Sequence, residues 1–269
     1  MKQLNDKKRG TGEIAHRYFG IKEGISLVMC AVMILISAAY VSGFSGSTVQ
    51  NILSENSLNV NSSAKDGELT IVLDPGHGGA DGGAVGIGGV LEKELNLDIA
   101  LMLRDMLVFS GYNVVMTRSD DSMYYDENIK LSKKAQDTRR RVDITRDYEN
   151  CIFVSIHMNK FSSEKYSGLQ VYYSDNVEGG KELAQSIQSL AGELLQKDNK
   201  RQIKKADSTI YVLDKAVVRA VLVECGFLSN AEETAKLCDK EYRRDIATLI
   251  FMAIDSFVLT GYSENTADK

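Results

Sequence analysis

The sequence predicts an α/β sandwich forming a single domain behind an apolar N-terminal helix. Three observations lead there. Short β-branched runs alternate with stretches of helical period along most of the chain, the pattern of a sheet covered by helices. A Ser- and Asn-rich tract without sustained period separates that region from the N-terminus and reads as a flexible linker. Upstream of it, Gly24 to Ser54 holds no charged residue, and Ile25 to Val41 is predominantly apolar.

Residues 1–23 form a basic cytoplasmic segment carrying Lys7, Lys8, Arg9, Arg17 and Lys22, whereas no Lys or Arg follows the apolar stretch until Lys65. That asymmetry sets the N-terminus in the cytoplasm and everything beyond Phe44 outside. Residues 24–44 have the length of a short membrane span and slightly exceed a signal-peptide core. A retained membrane anchor is favoured over a cleaved signal, because Ser37-Ala38-Ala39 and Val41-Ser42-Gly43 make only passable cleavage sites. Residues 45–67 are the linker, 68–262 the catalytic domain and 263–269 a frayed tail.

The domain opens with Thr70-Ile71-Val72-Leu73, a buried strand that Asp74-Pro75-Gly76 ends abruptly. Leu95, Ile99, Leu103, Met106 and Leu107 have helical spacing, and Gly111 suits the position that closes such a helix. Asn113 to Arg118 reads as a strand, followed by a polar loop to about Ile129. An exposed helix is expected from Lys133 to Tyr148, then a fully buried strand from Cys151 to His157. Gly168 to Tyr173 is another strand and Gly180 to Gln196 an amphipathic helix. Ser208 to Leu213 and Arg219 to Glu224 read as two more strands. Asn230-Ala-Glu-Glu is an N-cap signature, and a long apolar-faced helix spans Lys240 to Leu259. The sequence contains no internal repeat.

A net charge of −5 gives no support to a polyanion-binding surface, so nucleic acid is not an expected partner. Of four cysteines, Cys30 belongs to the apolar stretch. Cys151 and Cys225 sit in strand-like runs and read as small buried hydrophobes, and Cys238 is left over. The many glycines invite comparison with a phosphate cradle. A dinucleotide fingerprint fails, because Asp81 and Leu91 occupy the third glycine position of its two registers, and no G-x-x-x-x-G-K-[ST] occurs.

Only three histidines exist, and His16 falls on the cytoplasmic side. His77 and His157 each follow an apolar strand run, at the kind of sheet edge where open α/β folds gather catalytic groups. A lone histidine there is more often structural. Two at equivalent strand ends, with a Gly-rich loop delivering Glu92, suit a His₂Glu metal site that leaves a fourth position for water. Glu94 competes with Glu92, which would otherwise be a helix N-terminal carboxylate stabilised by the macrodipole. Glu224 closes the run Ala220-Val-Leu-Val, an unfavourable place for a charge without a site or partner, although a carboxylate emerging into solvent has the same pattern. As general base it would take a proton from metal-activated water and later protonate the leaving amine.

Taken together, Asp74-Pro-Gly-His-Gly-Gly79, Glu92-Lys93, Met116-Thr-Arg118, Ser155-Ile-His-Met-Asn159 and Val223-Glu-Cys-Gly-Phe-Leu-Ser-Asn230 resemble the zinc-dependent N-acetylmuramoyl-L-alanine amidases, over about residues 69 to 259. The resemblance implies a twisted, mainly parallel sheet flanked by helices. It implies one Zn²⁺ held by His77, Glu92 and His157, with Glu224 as the catalytic carboxylate. The implied reaction is hydrolysis of the amide between the lactyl group of N-acetylmuramic acid and L-alanine of the peptidoglycan stem peptide, outside the cytoplasm. The N-terminal anchor, Arg139-Arg-Arg-Val142 and the Gly-Phe-Leu-Ser-Asn-Ala ending look most like the germination-specific, spore-cortex branch, where peptide stripping precedes muramic-lactam formation. An accessory protein is compatible with that branch. Met158, Lys160 and Arg146 depart from the family's usual residues and bear on glycan contacts. Arg118 is expected in a structural salt bridge rather than on substrate. The alternatives are a zinc peptidase cutting within the stem peptide and a non-catalytic wall-binding or regulatory homologue.

Overall fold

A computed structural model describes residues 68–260. The segments expected at 1–23, 24–44, 45–67 and 263–269 lie outside the described residues. Among the described residues, no helix is long and apolar enough to cross a membrane.

Six strands, β1 (Thr70–Pro75), β2 (Asn113–Met116), β3 (Cys151–Asn159), β4 (Gln170–Tyr173), β5 (Lys204–Lys205) and β6 (Arg219–Phe227), form one sheet in the order β2-β1-β3-β6-β4-β5. β1 runs parallel to β2 and β3, β3 to β6, and β4 to β5; β4 alone opposes β6. The sheet is thus mainly parallel, as expected. Parallel neighbours need long crossovers, which are supplied here by α1 (Glu92–Phe109) between β1 and β2 and by α2 (Lys133–Thr145) between β2 and β3. The other helices are α3 (Gly180–Leu190), α4 (Tyr211–Asp214), α5 (Ala231–Cys238) and α6 (Lys240–Leu259).

Side chains of a strand alternate between faces, and both faces of this sheet are covered. Ile71, Leu73, Ile152, Val154, Val221 and Val223 join a core with α1, α3, α5 and α6. Val72, Phe153, Ala220 and Leu222 join a smaller one with α2 and α4. Burial on both sides is why the central strands read as continuous apolar runs. In α6, Ile246, Leu249, Ile250, Ala253, Ile254 and Phe257 are buried at three- and four-residue spacing, the stripe that marked it in the sequence. Gly111 adopts φ 88° just past α1, and the Asn230 side chain caps α5 by accepting from the Glu232 and Glu233 N–H groups. Cys151 and Cys225 are buried.

Three expectations need correction. Ser208 to Leu213 is not a strand: Asp207 accepts from the Thr209 N–H, Ile210 N–H returns to Asp207 O, and the chain turns into α4. A short apolar run fits a buried helical turn as well as a strand, and Val212 and Leu213 are buried in this way. The helix α2 is not simply exposed, since Gln136, Asp137, Arg141, Val142 and Thr145 are buried. The third correction is β5, two exposed lysines without alternating pattern, which the sequence did not mark.

Candidate active site

Because β1, β3 and β6 are adjacent and parallel, their C-terminal ends share one edge of the sheet, where ligand sites of such folds form. His157 and Glu224 are register partners across β3 and β6. His77 lies just beyond the end of β1, after Pro75 and Gly76, and Glu92 begins α1. The sequence-derived residues therefore come from three strand ends and one helix start.

They converge. His77 Nε2 lies 3.2 Å from Glu92 Oε2, and His157 Nδ1 lies 2.9 Å from Glu92 Oε1. The two imidazoles meet edge to face with ring centres 5.0 Å apart. One ligand atom from each of the three side chains lies within 4.8 Å of the others. Two imidazole nitrogens and a carboxylate oxygen make the donor set that suits zinc, so these residues fit such an ion. Glu224 stands beside them with its Oε2 enclosed and without a partner among the described residues. Buried polar atoms are rarely left so, and an orphaned carboxylate oxygen facing this cluster fits a role toward a guest. Glu94 is exposed and takes no part.

The electrostatics separate the two carboxylates. Burial alone would raise the Glu92 carboxyl, but hydrogen bonds to His157 and His77 and their charges outweigh it and hold the group far below the usual range. Burial pushes the Glu224 carboxyl up to about 7, with His157 opposing and Glu92 adding to the rise. One is a fixed anion and the other is poised to exchange a proton, the pattern that divides roles between neighbouring acids.

Local backbone explains the glycines. A Cβ on Gly76 would meet the His157 ring at 2.2 Å, so β1 and β3 approach this closely only without one. His77 itself has φ 61°, a left-handed conformation uncommon outside glycine. Two buried arginines hold that turn through its carbonyls. Arg118 donates to Pro75 O at 2.9 Å, Gly76 O at 3.0 Å, Lys93 O at 2.9 Å and Asp120 O at 2.9 Å. Arg141 donates to Pro75 O and His77 O, both at 2.7 Å, and pairs with Asp74 and Asp137. Arg118 is structural, as expected, but binds carbonyls instead of forming a salt bridge. Glu92 is held as firmly: Ala84 N–H donates to Oε2 at 2.7 Å and Met158 N–H to Oε1 at 3.0 Å.

Sequence reasoning missed Asp81, whose Oδ2 lies 2.9 Å from His77 Nδ1, the outer partner that fixes a ligating imidazole. It also missed Arg141. The i,i+4 pair Asp137 and Arg141 was visible, but not that it turns inward. Among the departing residues, Met158 is buried, Lys160 donates to Val85 O at 2.9 Å, and Arg146 pairs with Asp143 at the surface.

Comparisons with known proteins agree with this geometry. The family described as N-acetylmuramoyl-L-alanine amidase (Amidase_3) matches residues 71–256. The germination-specific N-acetylmuramoyl-L-alanine amidase of Bacillus subtilis (strain 168) is 37% identical over 186 residues, which cover 68% of this chain and 77% of the relative. Among solved structures, the CwlD amidase from Clostridioides difficile, in complex with the GerS lipoprotein, superposes with a TM-score of 0.67 at 38% identity, covering 71% of this chain and 98% of that one. The amidase AmiC2 of Nostoc punctiforme gives a TM-score of 0.61 at 32% identity, covering 72% and 99%.

Proposed function

Because the chain belongs to the N-acetylmuramoyl-L-alanine amidase family, we propose that His77, Glu92 and His157 hold one zinc ion and that Glu224 is the catalytic carboxylate beside it. The reaction is that of the family: water adds across the amide joining the lactyl group of N-acetylmuramic acid to L-alanine of the stem peptide in peptidoglycan. Family membership favours this over a peptidase cutting inside the stem. What carries the site assignment is the convergence of two imidazoles from separate strand ends with Glu92 from the start of α1, next to a carboxylate with an unpartnered, enclosed oxygen.

Zinc, when bound, supplies a Lewis acid that polarises the scissile carbonyl and acidifies the attacking water. The chain's own residues handle the proton and the positioning. Glu224 accepts a proton from the attacking water and delivers it to the amide nitrogen as the C–N bond breaks, leaving a lactyl carboxylate and a free L-alanine amine. Asp81 fixes the His77 ring, and the Ala84 and Met158 N–H groups fix both oxygens of Glu92, so the ligands need little rearrangement. Digestion of purified peptidoglycan tests this. Mass spectrometry is expected to show intact stem peptides with a free L-alanine amine, lost on chelation and restored by zinc. Peptides beginning at a later residue would refute the amidase site.

We extend the reading to the cell. The germination-specific relative supports action on spore cortex, where loss of the enzyme is expected to abolish muramic lactam. Residues 24–44 are proposed as a membrane anchor and 68–262 as the extracytoplasmic domain. The relative solved with a lipoprotein supports an accessory lipoprotein partner for this chain; pull-down from sporulating-cell membranes without a stoichiometric lipoprotein would argue against it.

A further inference from the structure

The role proposed for Glu224 gives the substrate a direction, and a subsite located from that direction rests on the same role. Glu224, on β6, protonates the leaving nitrogen, and one course open to the departing stem peptide runs from it across β6 and away from β1. Beyond β6 the next strand is β4. It runs antiparallel to β6, so its first residue, Gln170, is the register partner of Glu224, and the connection entering β5 reaches the same edge. Neighbouring strands lie about 4.8 Å apart, and one residue of extended peptide spans about 3.5 Å. On that course the residue after L-alanine reaches the level of Gln170.

Arg201 stands there. Its Nε donates to Ser167 O at 2.6 Å and its Nη1 to Gln170 Oε1 at 3.3 Å, while its guanidinium carbon lies 4.5 Å from the Phe227 ring centre. The side chain is thus held from three sides, and its Nη2 has no protein partner among the described residues. Phe161 meets Tyr166 edge to face at 4.9 Å, and Tyr166 stacks on Phe227 at 6.2 Å. The guanidinium caps an aromatic ladder that starts just past β3. Tyr172 shares both charges: burial raises its phenol, Glu224 adds to the rise and Arg201 opposes it.

Arg201 also lines a cleft of about 600 Å³ together with Lys165, Lys197, Lys200 and Lys236. None of these five cations has an ion-pair partner among the described residues. Asp198, Glu232 and Glu233 line the same cleft, and Glu233 is turned inward, accepting from Gly168 N–H and Phe227 N–H, each at 2.8 Å. In a chain of net charge −5, the basic side chains of this cleft still outnumber its acids.

We propose that the cleft is the subsite for an acidic stem peptide, and that Arg201 is the specificity residue that binds the free carboxylate of the residue following L-alanine. A guanidinium fork already braced on two acceptors and a ring is suited to the planar carboxylate. The lysines add attraction for carboxylates further along, which salt weakens.

Two soluble muramoyl peptides test this, identical except that this carboxylate is free in one and amidated in the other, with the zinc-loaded full chain. KM is expected to be about tenfold lower for the free acid, the scale of one charge-assisted hydrogen bond, with kcat unchanged. Arg201→Gln raises KM for the free acid alone, and Arg201→Lys restores part of the difference. Equal KM values for the two peptides in the wild type, or an Arg201→Gln effect on both alike, overturns the inference while leaving the amidase site standing. Cleavage of neither peptide by the wild type overturns the site and the inference together. If Arg201→Gln does not fold, the double substitution Lys165→Gln, Lys200→Gln at exposed positions replaces it. Because both peptides carry the same carboxylates further along, a rise in KM for both alike supports the cleft as the subsite, and no change overturns it.

Discussion

A Cβ on Gly83 would lie 2.6 Å from Glu92 Oε2 and 2.8 Å from His77 Cδ2, at a φ of +69° that side chains rarely adopt. Gly83→Ala is therefore expected to lower zinc affinity by about tenfold or more, the loss seen when groups that orient ligands are disturbed, measured by competition with a chromophoric chelator. Gly88 makes the control. Its φ is +80° and nothing lies within 4 Å of an added Cβ, so Gly88→Ala costs about 1 kcal/mol of stability and leaves zinc affinity unchanged. The difference between the two substitutions separates backbone strain from damage to the ligands. His77, His157 and Glu224 could be singled out in the sequence because each follows an apolar strand run, and Glu92 because a Gly-rich loop leads into it. Asp81 and Arg141 were not, since their roles depend on side-chain direction. Arg139, Arg140 and Arg141 are consecutive and chemically identical, yet only helix phase decides that Arg141 is buried and the others exposed.

At the scale of elements, α2 is fastened to the end of β1 by a buried charge pair. Arg141 Nη1 lies 2.6 Å from Asp74 Oδ1, and Ser155 and Thr117 hydroxyls also donate to Asp74, at 2.6 and 2.7 Å. Removing one partner of such a pair costs about 3–5 kcal/mol. Burial alone would raise the Asp74 carboxyl, but Arg141 and the two hydroxyls outweigh it and hold it below its ordinary value. A carboxyl lowered by folding contributes stability above its unfolded pKa of about 3.9 and loses that contribution as pH falls through the folded value. The urea midpoint of the wild type is thus expected to fall steeply below about pH 4. Asp74→Asn should be less stable near neutral pH but flatter through that range; parallel curves would contradict the assignment. The same scale shows where pattern reading ends. The α6 stripe and the β3 run were long enough to be unambiguous, whereas Ser208 to Leu213 was too short to distinguish a strand from the turn and helix it forms.

For the whole domain, the sheet order matters more than any single strand. Alternation of runs revealed the α/β class, but no local signal revealed that β4 enters antiparallel beyond β6, because strand order is set by packing between distant segments. That order puts β3 between β1 and β6, with His157 central, and leaves a basic cleft on the far side. Since the ligands come from separate elements, zinc binding should stabilise the folded domain as a unit. At a hundredfold excess over Kd, the gain is about 2.7 kcal/mol, which for a domain of this size raises Tm by roughly 5–10 °C. Scanning calorimetry with and without a chelator checks it, and His77→Ala is expected to remove the shift. A chelator-insensitive Tm in the wild type would mean that the cluster holds no ion.

The central claim joins a zinc site to one catalytic carboxylate, and Glu224→Gln tests both at once. Zinc content and release of peptides with a free L-alanine amine are measured side by side for this variant and the wild type. The prediction is one zinc per chain in both proteins, with release reduced by about a thousandfold or more in the variant, the scale of a lost general acid–base. Full release by Glu224→Gln, or a wild type that releases such peptides without bound zinc, would contradict the account.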